Sequence, residues 1–379
     1  MSDRAVTPEV ARIVEHIRDA RAQGTSLRVV GGGTWLDAGR RCSATHRLEI
    51  GPLTGITRYE PGDLTLTALA GTSLADITRA TAAEGQWLTL DAYGSAGGTL
   101  GATVATASSG PLASAYGTPR DHVLGCEFVS GTGDVVRAGG RVVKNVAGFD
   151  LTRLVTGAWG TLGALTEITV RLRARPVEDR TVAVEVESAA AAWSWQRQSE
   201  YMPLAAELLS PALARRVSLP GSCLLVRVGG NADFVRAAGD AAASLGVTTT
   251  MDAASWSALS SAEPPNAITL RVSTLPSRIG ELWPRVVAFA EASGGYAHAT
   301  IARGVVRCVL PPTDDIEQTD HIRAGIAELA ADSTVVGERM PASLWTQFDH
   351  RRSADALADG VRRAFDPDGI MNPGILGAA

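Results

Sequence analysis

Apolar side chains at Val10, Ile13, Val14 and Ile17 recur at helical spacing between Pro8 and Ala22, and Gly24 supplies a stop. The apolar run Leu27 to Val30 predicts a strand, and a second strand-like stretch spans Arg47 to Ile50. Leu64 to Ala70 predicts a strand, followed by a helix over Ser73 to Glu84 with Thr72 or Ser73 at its N-cap. Val123 to Ser130 and Val135 to Ala138 read as paired strands across the turn Gly131 to Asp134. Asp150 to Thr156 predicts a short helix capped by Asp150, and Leu165 to Leu172 alternates as a strand. Pro176 marks a boundary, and the pattern restarts at Thr181. Strands at Cys223 to Val228, Ala267 to Val272 and Val305 to Leu310 then alternate with helices up to about Leu310. This predicts an α+β second domain. From about Gly337 the chain ends on FDPDGIMNPG, a helix followed by turn formers.

The length suits two domains. The expected division is 1–175, 176–335, and a C-terminal segment 336–379 that returns to the first domain. A formal net charge of −5 with no Lys/Arg block argues against nucleic acid or an anionic membrane surface as the main partner. A nucleotide cofactor stays open, because backbone amides bind phosphate without a basic patch. Cys42, Cys126, Cys223 and Cys308 are far apart and form no C-x-x-C, which argues against a cluster or a structural zinc in this chain. The N-terminus lacks an apolar leader core and no run approaches a bilayer span, so the expected location is cytoplasmic, with membrane contact only through a partner.

The segment Asp91 to Gly117 is almost entirely Gly, Ala, Ser and Thr, interleaved with Leu100, Val104 and Leu112. It reads as close-packed backbone rather than as linker. Three glycine runs stand out: Gly31-Gly32-Gly33-Thr34 after a strand, Gly97-Gly98-Thr99-Leu100-Gly101-Ala102, and Gly160-Thr161-Leu162-Gly163. The first lacks the G-K-[ST] of a Walker loop, and it does not run straight into a helix as a Rossmann fingerprint must. Three close approaches suggest an extended diphosphate ligand; taken singly, each is also an ordinary tight turn.

Taken together, these runs resemble the FAD-binding domain of the vanillyl-alcohol oxidase and p-cresol methylhydroxylase superfamily, over residues ~25 to 175. The resemblance implies an α+β fold: a two-subdomain PCMH-type FAD-binding domain plus a smaller α+β cap. It implies that Gly31, Gly32, Gly33, Thr34 and Trp35 form a pyrophosphate loop. Gly97 and Gly98 open the second motif, with Thr99, Leu100, Gly101 and Ala102 along the diphosphate, Ala105, Ser109 and Gly110 nearer the flavin, and Tyr116-Gly117 closing it. Gly160, Thr161 and Gly163 match the third motif, and the backbone near Ile168 would pair with the adenine end. The stretch RVVKNVAGFDLTRLVTGAWGTLGALTEITVRL, the total length and the ending FDPDGIMNPG resemble the E-type subunits of bacterial glycolate oxidases. That resemblance implies assembly with a second FAD subunit and an iron–sulfur subunit, and oxidation of glycolate or a similar small 2-hydroxy acid. The first loop has no His to tether the flavin, so the expected FAD is non-covalent. The second domain lacks the paired-His motifs of metal-dependent relatives, so the expected metal set is none.

Oxidising a 2-hydroxy acid needs a cation for the carboxylate and a base for the hydroxyl proton. Arg271, inside a strand, is the leading carboxylate candidate, with Arg227 and Arg307 as rivals. Tyr296, His298 and Tyr116 are candidate bases. Lys144 would bring a cation to the flavin. Three roles stay open: a redox subunit beside a catalytic partner, a stand-alone 2-hydroxy-acid or sugar-acid oxidoreductase, and a non-catalytic FAD-containing subunit.

Overall fold

The computed structural model describes residues 5–94, 97–140, 150–219, 221–345 and 356–377. The chain opens on the helix Pro8–Ala22, capped by the Thr7 side chain, which accepts from the Val10 amide. Its buried face is Val10, Ile13, Ile17 and Ala20, the stripe that the 3.6-residue period lays on one side. The strands Leu27–Val30 and His46–Glu49 pair in parallel. A five-stranded antiparallel sheet then follows in the order Ile56–Glu60, Thr65–Leu69, Gly163–Arg171, Val123–Ser130 and Val135–Gly139. One hydrophobic core joins these elements to Ile370 and Met371 of the C-terminal segment. That segment is stitched to the first strand by the Leu27 amide, which donates to the Ile370 carbonyl, and by a parallel bridge between Leu27 and Met371.

The second unit is an eight-stranded antiparallel sheet. Its order is Thr248–Met251, Glu178–Glu185, Cys223–Gly230, Ala205–Leu209, Tyr296–Thr300, Val305–Leu310, Ile268–Ser273 and Thr334–Arg339. Alternation decides its two faces. Val182, Val184, Leu224, Val226, Leu208, Ala299, Val306, Cys308 and Leu270 turn into a core shared with the helices Ala189–Gln198, Ala232–Ala243, Ile279–Ala292 and Ile316–Ala330. The opposite face carries Glu207, His298 and Arg307 in its middle, and this polar centre faces the first unit.

Four of these strands escape the sequence reading. Ala205–Leu209 reads AAELL, a helix-prone string that is buried on both sides. Thr248–Met251 and Thr334–Arg339 are partly exposed edges, and Tyr296–Thr300 is short and apolar-poor. The expected boundary at residue 335 falls inside the edge strand Thr334–Arg339, and Leu344 still belongs to the second core, so the second unit extends to about residue 345. The Gly/Ala/Thr-rich stretch also contains the helix Leu100–Thr106, capped by Thr99, which its close-packed composition does not announce. Among the described residues, no helix is long and apolar enough to cross a membrane.

Candidate active site

The loop Gly31–Trp35 leaves the first strand and lies against the turn that precedes the helix Leu100–Thr106. A Cβ on Gly32 would stand 2.6 Å from the Gly97 carbonyl oxygen, so the two glycine runs touch backbone to backbone. Between them runs a narrow groove lined by Gly31, Gly32, Gly33, Thr34, Trp35, Thr99, Gly101, Ala102, Ala105, Gly160 and Gly163. It is poor in side chains, as a diphosphate bed requires. Asn372 and Ile375 of the C-terminal segment complete it.

Other residues expected at the cofactor do not line this groove. Leu100 is fully buried in the first core. Ile168 sits in mid-sheet between Ala68 and Cys126 and is wholly buried. Gly110 packs on Asp91, and Gly117 packs on Asp121. The Tyr116 ring meets Trp87 edge-on at 5.7 Å, outside the groove. Thr161 is buried and donates to the Ala158 carbonyl. Gly97 and Gly98 form the turn that supports the Gly32 loop and the Leu74 amide rather than the groove wall. Ser109 lines the wider cavity described next. Lys144 lies outside the described residues.

The groove opens at Trp35, Thr106, Trp159 and Ile375 into a cavity of about 1020 Å³ between the two units. Its described wall carries Arg40, Arg120, Arg271, Arg303, Arg307 and His298 against one carboxylate, Glu338. Such a wall favours an anionic ligand. Arg307 is the buried cation, at 4 % exposure. Its Nε donates to Glu263, its Nη1 donates to Glu338 Oε2 at 2.5 Å, and the Tyr93 ring lies 4.3 Å below the guanidinium. Its Nη2 is buried with no hydrogen-bond partner. Burial works against the charge, but Glu263 and Glu338 hold Arg307 firmly protonated. Desolvation would raise the Glu263 carboxyl; Arg307 and then Arg339 outweigh it and hold it below its ordinary value.

Arg271, the leading candidate from the sequence, is the cross-strand neighbour of Arg307 and also lines the cavity. Its side chain is 45 % exposed, with Nε donating to Glu338 Oε1 at 3.1 Å. Arg227 is outside the cavity, held by Asp179 and stacked on Trp87. Of the candidate bases, only His298 reaches the cavity wall. Its Nδ1 stands 2.8 Å from Glu207 Oε2, and Thr300 donates to the other Glu207 oxygen. Glu207 accepts both bonds when Nδ1 carries the proton, which leaves Nε2 as the basic atom. Tyr296 is on the same face but lies further along, under Arg216.

Asp91 supports this wall from the first unit, accepting from the Gly110 and Leu112 amides at 3.1 and 2.7 Å. Desolvation raises its carboxyl to about 7 despite those two bonds. The folded chain therefore holds a proton that the unfolded chain releases above its ordinary carboxylate pKa, and stability falls as pH rises from about 4 to about 7. In Asp91→Asn, thermal melting across that range should show a flatter pH slope than the parent chain. Equal slopes would remove Asp91 as the source.

The side-chain-poor groove, its junction with a cationic cavity, and unpartnered buried donors at Trp35 Nε1 and Arg307 Nη2 fit FAD. Residues 5–139 match the family model described as "FAD binding domain". The chain thus carries a PCMH-type FAD-binding domain. Among its relatives is the glycolate oxidase subunit GlcE of Escherichia coli, 35% identical over 191 residues, which are 49% of this chain and 54% of that protein. The matched part thus spans about half of that relative's length. The glycolate oxidase subunit GlcD of Bacillus subtilis is 26% identical over 99% of this chain and 88% of its own. A solved alkyldihydroxyacetonephosphate synthase shares the fold with a TM-score of 0.70 at 16% identity, covering 96% of this chain and 74% of that one.

Proposed function

We propose that this chain is an FAD-dependent oxidoreductase for small 2-hydroxy acids, glycolate foremost, and works as a subunit of a glycolate-oxidising complex. The observation that carries the reading is the buried Arg307, with its Nη2 unpartnered, on the wall of a cavity continuous with the FAD groove. Bound FAD supplies a two-electron acceptor for the substrate's α-hydrogen. Arg307 holds the carboxylate through Nη2, with Arg271 nearer solvent. His298, oriented by Glu207, takes the hydroxyl proton at Nε2. Arg307, Arg271 and His298 line one cavity, which supports the reading, because such a reaction needs its groups positioned around one ligand.

The partners expected are a second FAD subunit and an iron–sulfur subunit. The match to two different glycolate oxidase subunits supports such an assembly. The test is anaerobic mixing of the purified chain with glycolate and with D-lactate, alone and with its complex partners. The flavin of the complex should bleach fully, and that of the isolated chain slowly or partly. Full bleaching of the isolated chain at the rate of steady-state turnover would make it a stand-alone oxidoreductase. No bleaching of this chain's flavin in either setting would make it a non-catalytic FAD-containing subunit.

A further inference from the structure

The neck between groove and cavity is built by two indoles. The Trp35 and Trp159 rings have centroids 6.4 Å apart and planes 22° from parallel. Trp159 is in the left-handed region at φ 53°, a conformation that a bulky residue keeps only where its surroundings over-determine it. Three segments of chain do so here. The Trp159 amide donates to the Ala105 carbonyl at 2.8 Å, and its own carbonyl accepts from Asn372 Nδ2 at 2.6 Å. Asn372 Oδ1 in turn accepts from the Val29 amide at 2.7 Å, tying the clamp to the strand that launches the Gly31 loop. Trp35 brings a second unexplained feature: its Nε1 is buried without a hydrogen-bond partner. A buried N–H in that state calls for an acceptor.

A dinucleotide whose diphosphate lies in the groove and whose reactive ring reaches Arg307 and His298 must pass this neck. We propose that Trp35 and Trp159 form an aromatic seat for the isoalloxazine ring. Trp159 stacks with the ring, and Trp35 meets its edge, where the in-plane Nε1–H gives a hydrogen bond to one of the ring's oxygen or nitrogen acceptors. The seat rests on the FAD reading above but not on the identity of the substrate. It has an optical consequence. An indole in contact with excited flavin gives it an electron; the indole is oxidised, the flavin reduced, and recombination restores both. Fluorescence of the bound flavin is thereby quenched.

The holoprotein tests this without turnover. Emission per bound FAD should be low in the parent chain and rise several-fold in Trp159→Phe and in Trp35→Phe at full FAD content. Trp87→Phe is the control, because Trp87 lines neither cavity and packs on Tyr116 instead. Transient absorption of the parent holoprotein, which needs no variant, should show an indole radical forming as the excited flavin decays. Unchanged emission in both neck variants with FAD retained, or excited-state decay without an indole radical, would overturn the seat. A parent chain that binds no FAD would overturn the cofactor reading instead, so the two failures are distinguishable.

Discussion

Gly32→Val should lose FAD by at least ~100-fold in affinity, about 3 kcal/mol, while the second unit keeps its fold. The reason is where the missing Cβ points. It would stand 2.6 Å from the Gly97 carbonyl oxygen and 3.3 Å from Thr99 Cγ2, and the first of these is backbone that has no rotamer with which to escape. Valine therefore pushes the two loops apart and widens the groove that both of them floor. The Gly31 loop and the helix behind Thr99 then no longer present one surface to a diphosphate. Gly62→Val is the matched control, since nothing lies within 4 Å of its Cβ and no positive φ is needed there. FAD content after gel filtration and isothermal titration of the apoprotein measure the loss. Unaltered FAD affinity in Gly32→Val would show that the two loops do not floor a diphosphate site.

This geometry explains how much of the site was legible in the sequence. The first unit was readable because its signals are local. Thr7, Ser73 and Asp150 cap the helices that follow them, and the apolar stripe Val10, Ile13 and Ile17 is a single-helix pattern. The glycine runs do line one groove, but partly for a reason the sequence hides. Gly32 is small to meet Gly97, Gly101 to meet Ala70, and Gly110 to meet Asp91, all contacts within the protein. A glycine needed by a neighbour and one needed by a ligand look alike in a sequence. Tyr116 and Ile168 fell in matching motifs, yet the fold commits the first to Trp87 and the second to the centre of a ladder.

The cavity was far less legible, because its parts are long-range. Tyr93, Glu207, Glu263, His298, Arg307 and Glu338 come from separate segments, and they meet only through the strand order of the second sheet. Arg271 and Arg307 occupy equivalent cross-strand places, so alternation alone gives both the same face. What separates them is Tyr93 and Glu263, which pack only on Arg307 of the pair, whereas Glu338 bonds both. None of these is near Arg307 in sequence. The same holds for Asn372, which the ending FDPDGIMNPG offers only as a turn former and which the fold uses to clamp Trp159.

That difference between two arginines sets the largest effect expected at the substrate end. Arg307→Lys should keep the second unit folded but cut kcat/KM for the 2-hydroxy acid by roughly 100-fold or more, because a lysine ammonium cannot serve Glu263, Glu338 and a substrate carboxylate in the planar arrangement of a guanidinium. Arg307→Met goes further. It takes from Glu263 and Glu338 their most buried cation, leaving only Arg339 at 3.7 Å from the first and the half-exposed Arg271 beside the second. It should destabilise the second unit by up to ~3–5 kcal/mol, the usual result of breaking one side of a buried ion pair, less what those two arginines still supply. Arg271→Met removes a cation that is 45 % exposed, where solvent screens the pair with Glu338; it should cost less than about 1 kcal/mol of stability and less than about tenfold in kcat/KM. Thermal melting separates the fold term from the binding term. Stopped-flow flavin reduction against substrate concentration then reads the carboxylate contact as a rise in the half-saturating concentration. A ranking in which Arg271→Met is the more damaging to flavin reduction, with Arg307→Lys near the parent, would move the carboxylate to the outer arginine and leave Arg307 as a structural cation alone.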